Sequence, residues 1–216
     1  MKWIQKSEEP EALRNWKEQA NADWTPTWDV LRASEKEGVH DSLLREQGYI
    51  CCYCGQRIST KTSHIEHLKP RTRYPELALE YSNMLASCQG ESETPPPLPV
   101  HCGHKKKSWY DEKLMVSPLD KNCGDFFTYT ESGEISPGAN PETKAAAETT
   151  INKIGLNIDK LIALRKKALE AILDDWESLT DEDKKTLMSG FEQRNSAGAY
   201  EPFCAAIIYM INQLLP

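Results

Sequence analysis

A chain of 216 residues can bury one good hydrophobic core, with room for a helical appendage. A hydrophobic fraction of 39% with six tryptophans excludes a disordered chain, and the longest apolar run, residues 203–211, is too short to cross a bilayer. The first ten residues contain no apolar run of the signal-peptide kind. The sequence therefore predicts a soluble, cytoplasmic protein without membrane contact. Its net charge of −7 argues against tight unaided binding to long duplexes, because phosphate contacts supply most non-specific affinity.

Residues 1–48 carry two helix-start signals. Ser7 can cap a first helix, and Pro10 suits its first turn. A Thr-Pro pair repeats the signal before a helical spacing of apolar residues that Gly48 ends. We therefore predict an N-terminal helical segment here.

The segment over residues 49–138 alternates apolar runs with turn residues, which is typical of short strands and loops. The predicted elements are a strand at 63–68, a proline-rich loop at 89–100, a helix at 105–113 and a hairpin within 125–135.

Residues 139–216 are predicted to be a helical region. It opens at Asn140, and Asn157 is a good cap for its second helix. The predicted helices span 141–154, 158–178, 181–194 and 200–214. Combined with the short strands, these helices predict an α+β fold. Their acidic exposed faces favour contact with a protein partner over contact with phosphate.

Five of the seven cysteines fall between residues 51 and 102, which favours metal binding over disulfides in a chain without an export signal. Zinc takes four thiolates or imidazoles in a tetrahedron, and the two-residue spacing of Cys51 and Cys54 suits one ion. Cys88 and Cys102 are predicted to complete this zinc knuckle, with His101 in place of Cys102 as the alternative. The other interpretation is that these thiols are small buried hydrophobic residues.

A second set of side chains suits a hard divalent ion. Such an ion can stabilise the phosphate and the leaving group during phosphodiester hydrolysis, and Glu66 and His104 offer it a carboxylate and an imidazole. His67 points to the opposite side of a strand and could face the attacking water. Asn83 could brace the loop or polarise His67. His64 shares a strand face with Glu66, and could bind the metal, contact a phosphate or be purely structural.

Basic residues flank this set. Residues 51–113 contain nine basic and seven acidic residues, a net charge of +2, whereas the remainder carries 17 against 26, a net charge of −9. Phosphate positioning is therefore predicted here, although a solvated charged face is the other interpretation. The predicted nucleic-acid-binding residues are Lys69, Arg71, Arg73, Lys105 and Lys106, with Trp109 and Tyr110 able either to stack on a base or to pack in the core.

These motifs together resemble the pattern of the HNH endonuclease family over residues 49–113. The residues that carry the resemblance are Cys51-x-x-Cys54, Glu66-His67-x-x-Pro70, Asn83-x-x-x-x-Cys88 and Cys102-x-His104-x-Lys106. The resemblance implies a small ββα-metal core with a four-cysteine zinc knuckle, and we place this core and the hairpin at residues 49–138.

The resemblance also implies a role for each site residue. His67 would be the general base, Glu66 and His104 would hold a catalytic Mg²⁺ or Mn²⁺, and Asn83 would be the middle residue of the motif. Two departures stand out: Glu66 replaces the more common Asp, and the loop between Cys88 and Cys102 is unusually long.

A narrower resemblance connects the chain to the HNH subunit of Septu anti-phage defence systems (PtuB-type), which also accompanies certain retrons. The matching segments are Ile-Glu-His-x-x-Pro, residues 74–77, Cys-Gly-His-Lys-Lys and the helical tail. This resemblance implies an ABC-type ATPase partner related to SMC proteins, bound through the helical regions, and a role in antiviral defence. The sequence leaves open whether DNA or tRNA is cut.

The main alternative to a nuclease is a non-catalytic zinc-binding adaptor. In that interpretation the helices bind a partner, the zinc knuckle only stabilises the fold, and the histidines and glutamate are incidental. Zinc-dependent hydrolysis of a small molecule is less favoured, because the sequence shows no cysteine-free zinc centre with an open position.

Overall fold

The sheets of this protein are small and lie among helices contributed by both ends of the chain. The computed structural model describes residues 1–91, 99–174 and 176–215. The elements are α1 (Glu11–Lys17), α2 (Ala33–Glu46), β1 (Ser63–His67), β2 (Met84–Cys88), α3 (Cys102–Lys106), β3 (Phe127–Tyr129), β4 (Ile135–Pro137), α4 (Pro141–Ile154), α5 (Asp159–Leu173), α6 (Asp181–Glu192) and α7 (Cys204–Leu214). Helices combined with small antiparallel sheets confirm the predicted α+β class.

The antiparallel pair β1–β2 lies at the centre of the molecule. Its register pairs His64 with Ser87 and Glu66 with Leu85. β2 is buried along its whole length, whereas β1 is buried only in part. Because side chains alternate along a strand, Glu66 and His64 share one face of β1 and His67 lies on the other.

The two N-terminal helices pack against each other, and α2 also packs on β2. Val39 and Leu43 are fully buried on α2 at helical spacing. The prediction that Ser7 caps the first helix is wrong, because Pro10 occupies the N-cap. The Ser7 backbone N–H and hydroxyl instead donate to Glu46 Oε2 at 2.6 and 2.7 Å, which ties the N-terminal segment to the end of α2.

The helix predicted at residues 105–113 is shifted towards the N-terminus. α3 begins at Cys102 and ends before Lys107, whose φ of +51° cannot continue a right-handed helix. The lysine-rich stretch has good helix propensity, but propensity is a weak determinant beside tertiary packing.

The C-terminal helices occur where they were predicted, with α5 ending earlier and α7 beginning later than expected. The Asn140 side chain accepts from the Glu142 N–H at 3.0 Å, and Gly155 ends α4 with a φ of +68°. The predicted cap at Asn157 is wrong. Its side-chain amide instead pairs with the N–H and the carbonyl of Ile135, at 2.9 and 2.7 Å, and holds the β3–β4 hairpin against the α4–α5 turn.

Two hydrophobic clusters organise the packing. One surrounds β1, β2 and the cysteines, and the other lies among α5, α6 and α7, with Tyr129 in contact with both. The predicted strand on β1 and the predicted hairpin are confirmed. The predicted loop at 89–100 is described only at its ends, since residues 92–98 lie outside the described residues, and the domain boundaries at 48 and 138 stay predictions. Within the described ranges, none of the helices has both the length and the apolar character needed to span a bilayer.

Candidate metal centre and active site

Four buried cysteines meet at one point beside the central sheet. The sulfurs of Cys51, Cys54, Cys88 and Cys102 all lie within 4.8 Å of one another. Cys51 and Cys54 come from the turn after α2, Cys88 ends β2, and Cys102 begins α3. We refer to this group as the cysteine cluster.

The geometry of the cysteine cluster fits a metal ion such as zinc. Tetrahedral zinc–thiolate bonds of about 2.3 Å place the sulfurs about 3.8 Å apart, and the Sγ atoms of Cys54 and Cys88 are separated by 3.9 Å. Burial raises the pKa of the Cys102 thiol, so four deprotonated thiolates would need a bound cation to balance their charge. His101 Nδ1 lies 3.1 Å from the Cys102 sulfur, but the four mutually close ligands are the cysteines.

Glu66 is the centre of a second set of side chains, on the outward face of β1. Its Oε1 atom accepts from Lys106 Nζ at 2.8 Å and from the Tyr53 hydroxyl at 3.2 Å. Its Oε2 atom lies 3.6 Å from His64 Nε2. Burial raises the pKa of Glu66, but the contacts with His64 and Lys106 outweigh burial and lower it overall. Glu66 is therefore a buried carboxylate that stays ionised.

His104 lies beside His64, with ring centroids 4.4 Å apart, and its Nε2 atom is 3.0 Å from Gln89 Oε1. We refer to His64, Glu66 and His104 as the carboxylate–imidazole set. Gly103 allows α3 to approach it, since a Cβ there would lie 2.7 Å from both Glu66 Oε2 and His64 Nε2. In the described part of the chain the cysteines are the only group of three or more residues whose ligand atoms all lie within 4.8 Å of one another, so the carboxylate–imidazole set would have to tighten around an ion.

His67 lies on the opposite face of β1, in contact with residues far away in the sequence. Its Nε2 atom donates to the Ala78 carbonyl at 3.0 Å, and its ring meets the Trp28 ring edge to face, with centroids 4.6 Å apart. Burial lowers the pKa of His67 to about 4. The imidazole is therefore neutral at pH 7, and because a carbonyl can only accept, Nδ1 is the nitrogen left to take up a proton.

Glu66 and His67 open into the same small cleft, of about 220 Å³, although they lie on opposite faces of the strand. We name it the Glu66–His67 cleft. Its other walls are Ile65, Pro70, Arg71, Thr72, Lys107 and Ser108. The cleft therefore borders both residues, whose side chains lie on opposite faces of β1.

Asn83 braces the chain just after β1. Its amide donates to the carbonyls of Lys69 and Leu77, at 2.9 and 3.3 Å, and its oxygen accepts from the Lys69 N–H at 2.8 Å. Asn83 was predicted either to brace the loop or to polarise His67. These three hydrogen bonds match the bracing role, because they join Asn83 to the backbone of Lys69 and Leu77 and not to the His67 ring.

The predicted basic residues fall into three environments. Lys106 is completely buried, and its ammonium contacts Glu66 and the His67 carbonyl, the latter at 3.0 Å. Lys69, Arg71 and Arg73 lie on one surface, where they contact Glu112, Asp29 and the Tyr110 carbonyl. Lys105 is exposed elsewhere, next to Gly155 at the end of α4.

Sequence reasoning missed Trp28, Tyr53 and the inward orientation of Lys106. Tyr53 lies between Cys51 and Cys54 in the sequence, so its position beside the cysteine cluster could have been predicted. No sequence signal marks the position of Trp28, because a 3-10 turn in the N-terminal segment brings it to His67, which is 39 positions further along the chain.

Comparison with known proteins agrees with these motifs. No family model matches the chain. Over 143 residues the chain is 34% identical to a protein of Vibrio cholerae serotype O1 biovar El Tor that is named "Retron Vc95 putative HNH endonuclease". The match covers 64% of this chain and 66% of that relative, just under two thirds of the relative's length. Together with the cysteine cluster, the two-stranded sheet and the short helix, this similarity supports the assignment of the chain to the HNH endonuclease family.

Proposed function

We propose that the protein is a metal-dependent endonuclease that hydrolyses phosphodiester bonds in nucleic acid. The observation that carries the proposal is the pair of neighbouring residues that line the Glu66–His67 cleft. Glu66 is an ionised carboxylate, and His67, on the other face of β1, is an imidazole kept neutral by burial. Similarity to a relative named an HNH endonuclease supports the same reaction class.

In the proposed reaction, His67 accepts a proton from water at Nδ1 while the water oxygen forms a bond to phosphorus. The bond from phosphorus to the leaving oxygen breaks, and the alkoxide takes a proton from solvent. The Ala78 carbonyl fixes the ring orientation, and the Asn83 brace holds the chain segment that follows His67. General-base catalysis of this kind contributes on the order of 10²- to 10⁴-fold.

The carboxylate–imidazole set suits a hard divalent ion, because a carboxylate and imidazoles are ligands that such ions accept. Glu66 and His104 would hold Mg²⁺ or Mn²⁺, with His64 as a further ligand. The ion would supply charge stabilisation for the phosphate and the leaving oxygen. Half-buried Lys69 and exposed Arg71 and Arg73 lie on a surface next to the cleft and would position neighbouring phosphates.

The cysteine cluster is proposed to hold a structural zinc ion. It joins the end of β2 to the start of α3, the two elements next to the carboxylate–imidazole set. Zinc would therefore fix the register between the strand face and His104 and take no part in bond breaking.

The proposed setting is an anti-phage defence complex of the Septu or retron kind, with an ABC/SMC-like ATPase as partner. The name of the Vibrio relative, which includes a retron, supports this setting. The helical regions are the proposed contact surface for the ATPase. Such a partner would provide nucleic-acid affinity that a chain of net charge −7 lacks.

A cleavage assay tests the proposal. The chain, alone and co-expressed with a candidate ATPase, is incubated with DNA and RNA panels in Mg²⁺ and in Mn²⁺. We expect cleavage that falls at least about 100-fold in His67→Ala and persists in the control His40→Gln, whose histidine lies on α2 and contacts Ser63. A chain that binds zinc and its partner but cuts nothing under any condition would instead be the zinc-binding adaptor.

A further inference from the structure

We infer that a second cleft, built on Trp28, holds an unpaired nucleobase beside the phosphodiester that is cut. This inference rests on the proposed nuclease function and specifies its substrate class. The Trp28 cleft measures about 550 Å³. Its lining is half apolar and half polar, with Pro26, Trp28, Pro75, Ala78 and Leu79 in the first group and Thr27, Asp29, Arg71, Thr72 and Glu76 in the second.

The Trp28 cleft is next to the proposed chemistry. Arg71 and Thr72 line both this cleft and the Glu66–His67 cleft, so the two spaces share a wall. Trp28 itself contacts the His67 ring, with centroids 4.6 Å apart. A base in the Trp28 cleft would therefore belong to a nucleotide at or next to the phosphate facing His67.

The composition of the cleft suits a flat, uncharged ring attached to a phosphate chain. Trp28 offers an indole, and the prolines, Ala78 and Leu79 offer apolar contact. Two cations lie over the indole, with Arg71 Cζ at 5.3 Å and Lys36 Nζ at 5.2 Å from its centroid. Nucleobases stack on aromatic and guanidinium planes, and phosphates pair with the same cations.

Arg71 is held loosely enough to exchange partners. The carboxylate of Asp29 pairs with Arg71 at 3.3 Å, but their side chains are 88% and 41% exposed. An exposed ion pair of this kind contributes little to stability. Arg71 can therefore turn to a phosphate when a base takes its place on the indole.

An unpaired nucleotide is favoured over a paired one for a geometric reason. A base inside a duplex presents only its edges, so a ring must leave the stack before it can lie on a tryptophan. Stacking on an indole tolerates any base, because every base has a flat face, so we expect little preference among the four bases. Single strands, loops, bulges and flipped nucleotides of DNA or RNA share this chemistry.

The test measures binding without cleavage. The full chain, without added Mg²⁺ or Mn²⁺, is titrated into oligonucleotides that carry 2-aminopurine in a single strand, in a one-base bulge or in a perfect duplex, each as DNA and as RNA. We expect quenching of the fluorescence and tighter binding for the unpaired forms. The DNA and RNA arms show which nucleic acid the cleft prefers.

Substitution of Trp28 separates stacking from packing. Trp28→Leu keeps apolar contact with His67 but cannot stack, and it should weaken binding of unpaired oligonucleotides roughly tenfold. Trp28→Phe should retain most of the affinity. Equal affinity for paired and unpaired forms, or no change in Trp28→Leu, would overturn the inference. If Trp28→Leu fails to fold, Arg71→Met, which removes the cation proposed to pair with the phosphate at an exposed position, should weaken binding of the same oligonucleotides.

Two outcomes separate this inference from the proposed function. Selective binding that depends on Trp28, without cleavage in either metal, would support the base-binding cleft and contradict the proposed nuclease activity. Cleavage with the same KM and rate in Trp28→Leu as in the unmodified protein would support the nuclease activity and contradict the base-binding cleft. If both hold, Trp28→Leu should raise KM for unpaired substrates by a larger factor than it lowers kcat.

Discussion

The cysteine cluster and the carboxylate–imidazole set are built on neighbouring positions of the same elements, but they differ in how complete they are. The cysteine cluster is buried and has its ligand atoms already within 4.8 Å of one another. The carboxylate of Glu66 is instead paired with the protein's own cation, Lys106, at 2.8 Å. One site is preorganised for a metal ion, and the other is electrically balanced before any ion binds. This difference supports the proposal that the first site serves the fold and the second serves catalysis.

The largest effect should come from breaking the cysteine cluster. Cys54→Ser removes one of four thiolates, and we expect loss of the bound metal and a fall of roughly 5 kcal/mol or more in the free energy of unfolding. Metal analysis and thermal unfolding measure both. Cys52→Ala is the matched control, because this neighbouring buried thiol lies outside the cluster. A Cys54→Ser protein with a full complement of zinc would contradict the ligand set.

The next effect concerns the cation beside Glu66. Lys106→Met leaves a buried carboxylate without its ammonium partner, and we expect a loss of about 3 kcal/mol in stability. Added Mn²⁺ should restore more stability to this variant than to the unmodified protein, since an ion at Glu66 would replace the missing charge. Thermal unfolding with and without Mn²⁺ measures this. Exposed Lys105→Met is the control, and an equal response of the two variants to Mn²⁺ would place the ion elsewhere.

The buried state of His67 should appear as a dependence of stability on pH. Its pKa is about 4 in the fold and near 6.5 when unfolded, so the unfolded chain binds the extra proton between these values. Stability is therefore highest above pH 6.5 and should decline by roughly 3 kcal/mol as the pH falls to about 4. Other acidic groups also titrate there, so the comparison is with His67→Gln, which should lose less stability over this range. Parallel stability curves for the two proteins would show that His67 is not held neutral by burial.

The smallest effect should come from the brace after β1. Asn83→Ala removes three hydrogen bonds to the backbone of Lys69 and Leu77, and we expect a cost of about 1–2 kcal/mol. Cleavage should fall severalfold through kcat, since the segment after His67 is held less firmly. Urea unfolding and steady-state kinetics measure the two effects. Ser82→Ala, at the exposed neighbouring position, should change neither quantity by a comparable amount.

The metal ligands could be predicted from sequence because their chemistry is local. A Cys-x-x-Cys turn presents two sulfurs whatever the rest of the fold does, and few other roles suit such clustered thiols. The helices of the C-terminal region could also be predicted, since apolar spacing and caps such as Asn140 are local features of one segment of sequence. The HNH family assignment follows from these local motifs.

The remaining features depend on contacts between distant segments. Burial of His67 comes from Trp28 and Ala78, and no local pattern signals that packing. A lysine next to a histidine motif is expected to face phosphate, whereas the Lys106 side chain turns inward to Glu66. Asn157 is a residue type that often caps helices, yet its side-chain amide forms hydrogen bonds with the backbone of Ile135. In each case a polar side chain takes the partner that folding makes available, and sequence spacing does not determine that partner.

The ends of the long segment between Cys88 and Cys102 are joined at their base. The His101 N–H donates to the Gly90 carbonyl at 3.1 Å, and Gly90 has a φ of +59°, with no room for a Cβ against the His101 carbonyl. Because the two ends are joined, the positions of Cys88 and Cys102 do not depend on the length of the chain between them. Because each doubling of a loop costs only about 0.6 kcal/mol, an affinity tag or fluorescent label inserted here should leave the cysteine cluster undisturbed and give a handle for purifying the folded protein.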